Sequence, residues 1–168
     1  MNPPVLVPGT VEGDRFVIER LAGSGGMSSV YRALDQKTGQ PVAIKYLMLR
    51  TQLQQEAARF MREIQLLAEL SHPGIVRYVH HGQSPSGMPY LVMEWLEGED
   101  LARRLTRGPL SIAESMLLMK HVVAALQTLH MRGIVHRDTS IKTKICLRKG
   151  DIAIHRRRTD HAYLPLSH

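Results

Sequence analysis

Apolar and polar positions alternate along three short segments near the N-terminus, and a glycine cluster separates the first two. The segments, residues 16–21, 29–34 and 42–47, are rich in β-branched or aromatic side chains, which is typical of strands. Residues 35–40 have the polar side chains and the glycine of a turn. The pattern therefore predicts a three-stranded antiparallel meander, with the glycine cluster at residues 23–27 in its first hairpin.

A helical pattern follows the meander. Across residues 52–70, apolar side chains recur at steps of three and four, which predicts an amphipathic helix; the stripe comprises Leu53, Ala57, Phe60, Ile64 and Leu67. Two more apolar segments, residues 75–79 and 88–95, predict strands on either side of a polar hairpin at residues 82–87. The first half of the chain is therefore expected to be an α+β unit with five strands and one helix.

Beyond residue 96 the pattern is helical. A short helix is expected at residues 99–106, and Ser111 with Glu114 forms a capping box that opens a long helix through His130. This long helix is apolar nearly all round, so it requires burial on several sides. The chain contains no uninterrupted run of about 18 apolar residues, so we expect no membrane span.

The glycine cluster has the chemistry of a phosphate-binding loop. Glycine lets backbone amides approach an anion closely because it carries no Cβ. A Gly-x-Gly-x-x-Gly pattern is a weak signal alone, and here Ser28 replaces its third glycine. Dinucleotide-binding and Walker loops open a helix, whereas this loop is expected to return into a strand. Those two kinds of site are therefore disfavoured.

Lys45 and Glu63 form a candidate ion pair near this loop. Lys45 is expected on the same strand face as Ala43 and Leu47, where an ammonium group requires a counter-charge. Glu63 borders the apolar stripe of the predicted helix. Alternatives are a solvated lysine on an edge strand and a surface pair between Arg59 and Glu63. Together the motifs favour an inward Glu63 that holds Lys45 towards phosphate oxygens.

These motifs, with His136-Arg137-Asp138 further on, occur in the order and spacing of eukaryotic-like protein kinases. The Gly-Gly-Met loop most resembles the bacterial serine/threonine branch, and the resemblance covers about residues 16–138. It implies a small lobe with a five-stranded antiparallel sheet and one helix, followed by an incomplete helical large lobe. It also implies ATP-dependent transfer of the γ-phosphate to a protein serine or threonine hydroxyl, with Mg²⁺ as the cofactor.

The resemblance assigns roles to particular residues. Asp138 would handle the proton of the acceptor hydroxyl, and Lys45 would position the phosphates, so both are expected to be catalytic. Met93 would lie at the entrance of the adenine pocket, although an ordinary core strand explains its segment equally well. The expected nucleotide-binding residues are Leu21, Gly23, Ser24, Gly25, Gly26, Met27, Val30, Ala43, Lys45, Glu63, Met93, and the backbone of Glu94 and Leu96.

After Asp138 the sequence departs from the family pattern. Ser140 stands where the family has a lysine, Thr143 stands where it has a metal-binding asparagine, and no Asp-Phe-Gly follows. No metal ligand is therefore assigned, and turnover is expected to be impaired. The alternatives are an inactive ATP-binding pseudokinase or scaffold fragment, and an unstable remnant whose basic tail binds polyanions. The sequence is expected to be that of a truncated or frame-disrupted kinase gene product.

Charge and composition say less about function than the motifs do. The net charge is +7, of which residues 139–168 contribute +5 through seven Lys or Arg and two Asp. The run Arg156-Arg157-Arg158 is expected to be a solvated tail, so nucleic acid is not an expected partner. The single cysteine, Cys146, argues against a disulfide framework and fits a reducing cytoplasm. The N-terminus has no signal-peptide pattern.

The expected organisation has four parts. They are a disordered leader at residues 1–13, a small lobe at 14–96 with a hinge at its end, a partial large lobe at 97–153, and a basic tail at 154–168 that lies outside the family. The apolar helix of the partial large lobe would expose a large patch, which predicts a partner that covers it.

Overall fold

A computed structural model describes residues 6–25, 28–47, 64, 68–133, 145–148 and 151–154. The chain divides into two compact units. The first comprises Met1–Ser71 and Arg77–Trp95, and the second comprises His72–Val76 and Leu96–His168. Ile64, in the middle of the predicted amphipathic helix, is helical and buried, as its place in the apolar stripe predicts.

The first unit contains one antiparallel sheet in the order β1-β2-β3-β4-β6-β5. The chain-order neighbours β2, β3 and β4 form the predicted meander, and β6 and β5 extend it at one side. The strand bounds are β1 Val11–Glu12, β2 Phe16–Gly25, β3 Ser28–Asp35, β4 Gln40–Leu47, β5 Tyr78–Gln83 and β6 Pro89–Glu94.

One face of this sheet carries the core. Its side chains come from β2, β3, β4 and β6 at alternating positions, as the period of two requires, and they are Phe16, Ile18, Tyr31, Ala33, Val42, Ile44, Tyr46, Tyr90 and Val92. The ring of Tyr46 packs edge-on against Tyr31 at 5.9 Å and tilted against Tyr90 at 5.6 Å. We call Tyr31, Tyr46 and Tyr90 the tyrosine layer. It fixes which residues of the sheet face away from the core.

The N-terminal segment corrects one expectation. Residues 6–13 are not a disordered leader: Gly9 donates its amide proton to Ile18 O at 2.8 Å, and Ile18 donates its own to Thr10 O at 2.8 Å. The pairing adds β1 to β2 as a sixth strand, one more than predicted. Two residues are too few to show an alternating pattern, and the second of them, Glu12, is acidic. Residues 1–5 lie outside the described residues.

The position of β5 also differs from the prediction. The strand was expected at residues 75–79, but it begins at Tyr78 and ends at Gln83. Its residues are half-buried and include two histidines, so the apolar signal was weak. The pairing with β6 is irregular between Tyr78 and His80, after which His80 stands opposite Val92 and His81 opposite Leu91. The two histidines therefore alternate between the faces of the sheet, with ring centroids 6.0 Å apart.

The turn between β3 and β4 is held by Asp35. Arg15 donates two hydrogen bonds of 2.7 Å to its carboxylate, and the Lys37 amide and the Thr38 hydroxyl donate further bonds of 3.0 and 2.9 Å. Gly39, at φ +68°, completes the turn in a conformation that favours glycine. The charged hydrogen bonds from Arg15 lower the pKa of Asp35 to about 2, against the opposing effect of burial.

We expect Asp35→Asn to lower the free energy of unfolding at pH 7 by about 2 kcal/mol, because charged hydrogen bonds to a buried carboxylate are lost. Since the pKa of Asp35 is lower in the folded state, its contribution is present above about pH 4 and is lost as the pH falls towards 2. Urea titrations between pH 2 and 7 measure it. The exposed Asp14→Asn is the control, and equal stabilities of the two variants at pH 7 would contradict the assignment.

A second carboxylate, Glu12, is buried under the tyrosine layer at 3% exposure. It approaches the Tyr46 hydroxyl, but neither Glu12 Oε2 nor Tyr46 Oη has a well-formed hydrogen bond within the described residues. Burial raises the pKa of Glu12, and the hydrogen-bonding interaction with Tyr46 opposes this only in part. Burial also raises the pKa of Tyr46. The site therefore favours a neutral Glu12.

We expect Glu12→Gln to raise the melting temperature at pH 7. The folded protein binds the Glu12 proton more tightly than the unfolded chain does, so stability falls as the pH rises above the ordinary glutamate range. The gain should shrink as the pH is lowered towards 4, where the wild-type carboxyl is protonated in both states. Melting curves from pH 4 to 8 measure this, with the exposed Glu97→Gln as control. A variant that is less stable than wild type at pH 7 would refute this account.

The second unit contains two helices among its described residues. Helix α1 spans Leu101–Leu105 within the predicted range, and Asp100 caps it by accepting a 2.7 Å hydrogen bond from the Arg103 amide. Helix α2 spans Ile112–His130 and begins with the predicted capping box. Ser111 Oγ accepts from the Glu114 amide at 3.2 Å, and Glu114 Oε2 accepts from the Ser111 amide at 2.7 Å.

Helix α2 exposes much of its apolar surface, as predicted. Only Leu118, Ala125 and Leu129 are buried, whereas six large side chains in or beside the helix are more than half exposed: Ile112, Met116, Leu117, Met119, Val123 and Met131. In the described part of the chain, α2 alone is long and apolar enough to cross a membrane. One such helix is weak evidence for a membrane span, because core helices of soluble proteins are often as long and as apolar.

The second unit also contains a two-stranded antiparallel hairpin. Strand β7 spans Ile145–Arg148 and pairs with β8, Asp151–Ile154. The first of these strands lies within the partial large lobe that was expected at residues 97–153. The second includes Ile154, so the residue that was expected to open the basic tail is the last residue of a strand. Residues 155–168 lie outside the described residues.

Candidate functional site

The glycine cluster connects two paired strands. Three residues of β2 stand opposite three residues of β3: Gly23 is paired with Val30, Ser24 with Ser29, and Gly25 with Ser28. The chain thus returns into a strand after the loop, as predicted, and does not open a helix as a Walker or dinucleotide-binding loop would. Gly26 and Met27 lie outside the described residues.

Gly23 leaves open space in this hairpin. A Cβ built on it would meet no atom within 4 Å, and its φ is not in the left-handed region. Neither sterics nor backbone conformation of the protein itself therefore requires glycine at this position. The missing side chain leaves room for an external group to approach the backbone.

The register of β3, β4 and β6 places four of the predicted site residues on one face of the sheet. Directly opposed residues of antiparallel strands point to the same face. Lys45 pairs with Val30 on one side and Leu91 on the other, and Ala43 pairs with Met93. Val30, Ala43, Lys45 and Met93 therefore share the face opposite the tyrosine layer, which we call the lysine face.

Lys45 is buried on this face. Its exposure is 7%, that of Met93 is 6%, and Val30 and Ala43 are half-buried. An ammonium group in such surroundings is desolvated, and interactions with negative charges are correspondingly strong. The arrangement offers apolar side chains for a flat hydrophobic group and one cation for an anion.

The end of β6 is tied to the neighbouring strand segment. Glu94 donates its amide proton to Arg77 O at 3.0 Å, and Glu94 Oε1 accepts from the Arg77 amide at 2.9 Å. The predicted role of the Glu94 backbone therefore falls to its carbonyl oxygen, which can accept more than one hydrogen bond. Leu96, the other predicted backbone partner, belongs to the second unit and is half-buried.

The remaining predicted residues are less well placed. Leu21 is 51% exposed and lies in β2 between two irregularities of the β2–β3 register. Gly23 and Ser24 are exposed. Glu63 and Asp138 lie outside the described residues, so the ion pair of Glu63 with Lys45 and the catalytic role of Asp138 stay predictions. The described residues contain no group of three His, Cys, Asp or Glu side chains that could hold a metal ion.

One cluster on the lysine face was missed from the sequence. Arg20 and Arg32 both lie near the ring of Trp95, which directly follows β6, and Arg32 forms an ion pair with Glu19. The four residues come from three separate segments. No local spacing joins them, and only the strand register could have found the cluster.

The fold and the lysine face identify the class. The family model of the protein kinase domain matches residues 16–152, so the chain belongs to the protein kinase family. Its fold is that of the crystal structure of the Mycobacterium tuberculosis PknI kinase domain, with a TM-score of 0.78 at 24% identity over 90% of this chain and 62% of that chain.

The chain is also similar in sequence to bacterial serine/threonine kinases. Serine/threonine-protein kinase pkn2 of Myxococcus xanthus is 40% identical over 136 residues, which are 80% of this chain and 16% of that protein. PknA of Mycobacterium tuberculosis is 38% identical over 144 residues, which are 82% of this chain and 33% of that protein. The chain thus spans a third or less of the length of these two relatives.

Proposed function

We propose that this chain binds ATP on the lysine face and acts as an ATP-dependent protein serine/threonine kinase, transferring the γ-phosphate to a protein hydroxyl. One observation carries the proposal: a lysine of 7% exposure lies between apolar side chains on the face opposite the core. Kinase-family membership supplies the reaction class.

Different residues of the site would bind different parts of the ATP molecule. Val30, Ala43 and Met93 would form apolar walls for the base, while the Lys45 ammonium would neutralise phosphate oxygens. The backbone of the glycine hairpin would cover the phosphates, with space left at Gly23. Asp138 would take or orient the proton of the acceptor hydroxyl.

The family uses Mg²⁺, and the residues of this chain fit that ion poorly. The described residues supply no cluster of metal-binding side chains, and the sequence has Thr143 where the family has its asparagine. None of the described residues is therefore proposed to hold a metal ion. This departure favours a second candidate function, which is nucleotide binding without efficient turnover, as in a pseudokinase or scaffold.

The wider setting of the protein follows from the same proposal. The acceptor is a serine or threonine of a protein, and the compartment is the cytoplasm. The partner expected over the exposed face of α2 stays a prediction.

Lys45→Met tests the binding site. We expect ATP to raise the melting temperature of the wild-type chain, because a ligand at 100 times its Kd adds about 2.7 kcal/mol of stability to the folded state. The variant should lose most of this rise, and any transfer of radiolabelled γ-phosphate should fall with it. Lys37→Met, in the exposed turn before β4, is the matched control. Equal shifts in wild type and Lys45→Met would refute the site, whereas binding without transfer in wild type would select the second candidate.

Gly23→Ala tests the hairpin separately. The new methyl group meets open space in the free protein, so the melting temperature without ligand should stay within about 2 °C of wild type. ATP affinity should fall about tenfold if phosphates occupy that space. Ser24→Ala, which leaves the backbone and Cβ in place, should bind as wild type does. Isothermal titration measures all three proteins, and unchanged affinity in Gly23→Ala would place the phosphates elsewhere.

A further inference from the structure

Trp95 lies between two arginines at the end of β6. Its ring centroid is 5.4 Å from the Arg20 guanidinium carbon and 5.5 Å from that of Arg32. Both distances are within the range of cation–π attraction, for which tryptophan is the best aromatic acceptor. The first residue after β6 is thus fixed by side chains from two other strands.

Arg20 and Arg32 are directly opposed across β2 and β3, where like charges repel one another. Glu19 pairs with Arg32 and offsets part of this repulsion. A neutral residue at position 20 would remove the repulsion, but it would also lose the attraction of Arg20 to the Trp95 ring. The contact with Trp95, and not the pairing of the strands, is therefore what favours arginine at position 20.

The cluster and the candidate site are joined by cross-strand pairs of the sheet. Arg32 is opposite Ala43, and Ala43 is opposite Met93. Glu94, between Met93 and Trp95, is held by the Arg77 backbone through both its amide and its carboxylate. The backbone therefore leaves β6 with two consecutive residues fixed by contacts to three neighbouring segments.

We propose that the Arg20–Trp95–Arg32 stack is a positioning device for recognition of the nucleotide base. This inference rests on the proposed function and on the expectation from the family resemblance that the backbone of Glu94 and Leu96 binds the nucleotide. The stack touches no reacting atom. It fixes the residue that follows β6, and so pre-organises the adjacent backbone groups that read the base.

Titration of the full chain with adenosine and with ATP separates base binding from phosphate binding. Trp95→Ala should weaken both ligands about tenfold, while Lys45→Met should weaken ATP and leave adenosine unchanged. Trp95→Phe keeps an aromatic face and should restore most of the affinity. Arg20→Gln should weaken adenosine about threefold without lowering the melting temperature, because the cross-strand repulsion is removed at the same time.

A purely structural role predicts a different result. In that case Arg20→Gln would bind adenosine as wild type does, and Trp95→Ala would lose adenosine affinity only to the extent that its unliganded melting temperature falls; either finding overturns the positioning role while wild type still binds. If wild type binds neither adenosine nor ATP, the proposed function fails and the inference fails with it. The Phe and Gln variants keep the test decisive if Trp95→Ala does not fold.

Discussion

The lysine face depends on the register of three strands. In β4, Ile44 and Tyr46 are fully buried in the core, and Lys45 between them must therefore point to the other side. A slip of one residue would bring the ammonium into the tyrosine layer and turn two large apolar side chains outwards. Desolvating a charge is far costlier than shifting an apolar contact. The aromatic core on one face thus secures the position of the cation on the other.

Local patterns predicted those parts of the structure that are determined locally. The meander, the return of the glycine loop into a strand, and the capping box of α2 each depend on residues within a few positions of one another. The face shared by Lys45 and Ala43 follows from the period of two alone. Their pairing with Val30 and Met93 needs the register, which the family resemblance supplied indirectly by placing all four around one nucleotide.

The features that sequence reasoning missed depend on contacts between distant segments. Strand β1 is two residues long and includes a buried acid, so neither its length nor its polarity marks a strand. The start of β5 was misplaced because two adjacent histidines replace the apolar side chains that a pattern detects. The cluster around Trp95 joins β2, β3 and the end of β6, and two of its members are like charges that a sequence argument would separate.

The two faces of the sheet use charge in opposite ways. On the core side, Asp35 is surrounded by donors and stays ionised, whereas Glu12 lies under tyrosines where the neutral form is favoured. Asp35 stabilises a turn, whereas Glu12 lies in an edge strand and lowers stability as the pH rises. Positive charge is collected on the other side, at Lys45 and at the arginines beside Trp95. An anionic ligand with a flat apolar part matches this distribution.

The position of Trp95 has a practical consequence. It is the only tryptophan in the chain, and it lies against two guanidinium groups at the edge of the lysine face. Indole fluorescence responds to nearby charge and to exclusion of water, so the tryptophan emission of this chain would come from this one location. The protein thus carries an intrinsic optical reporter of events at the end of β6, without any chemical label.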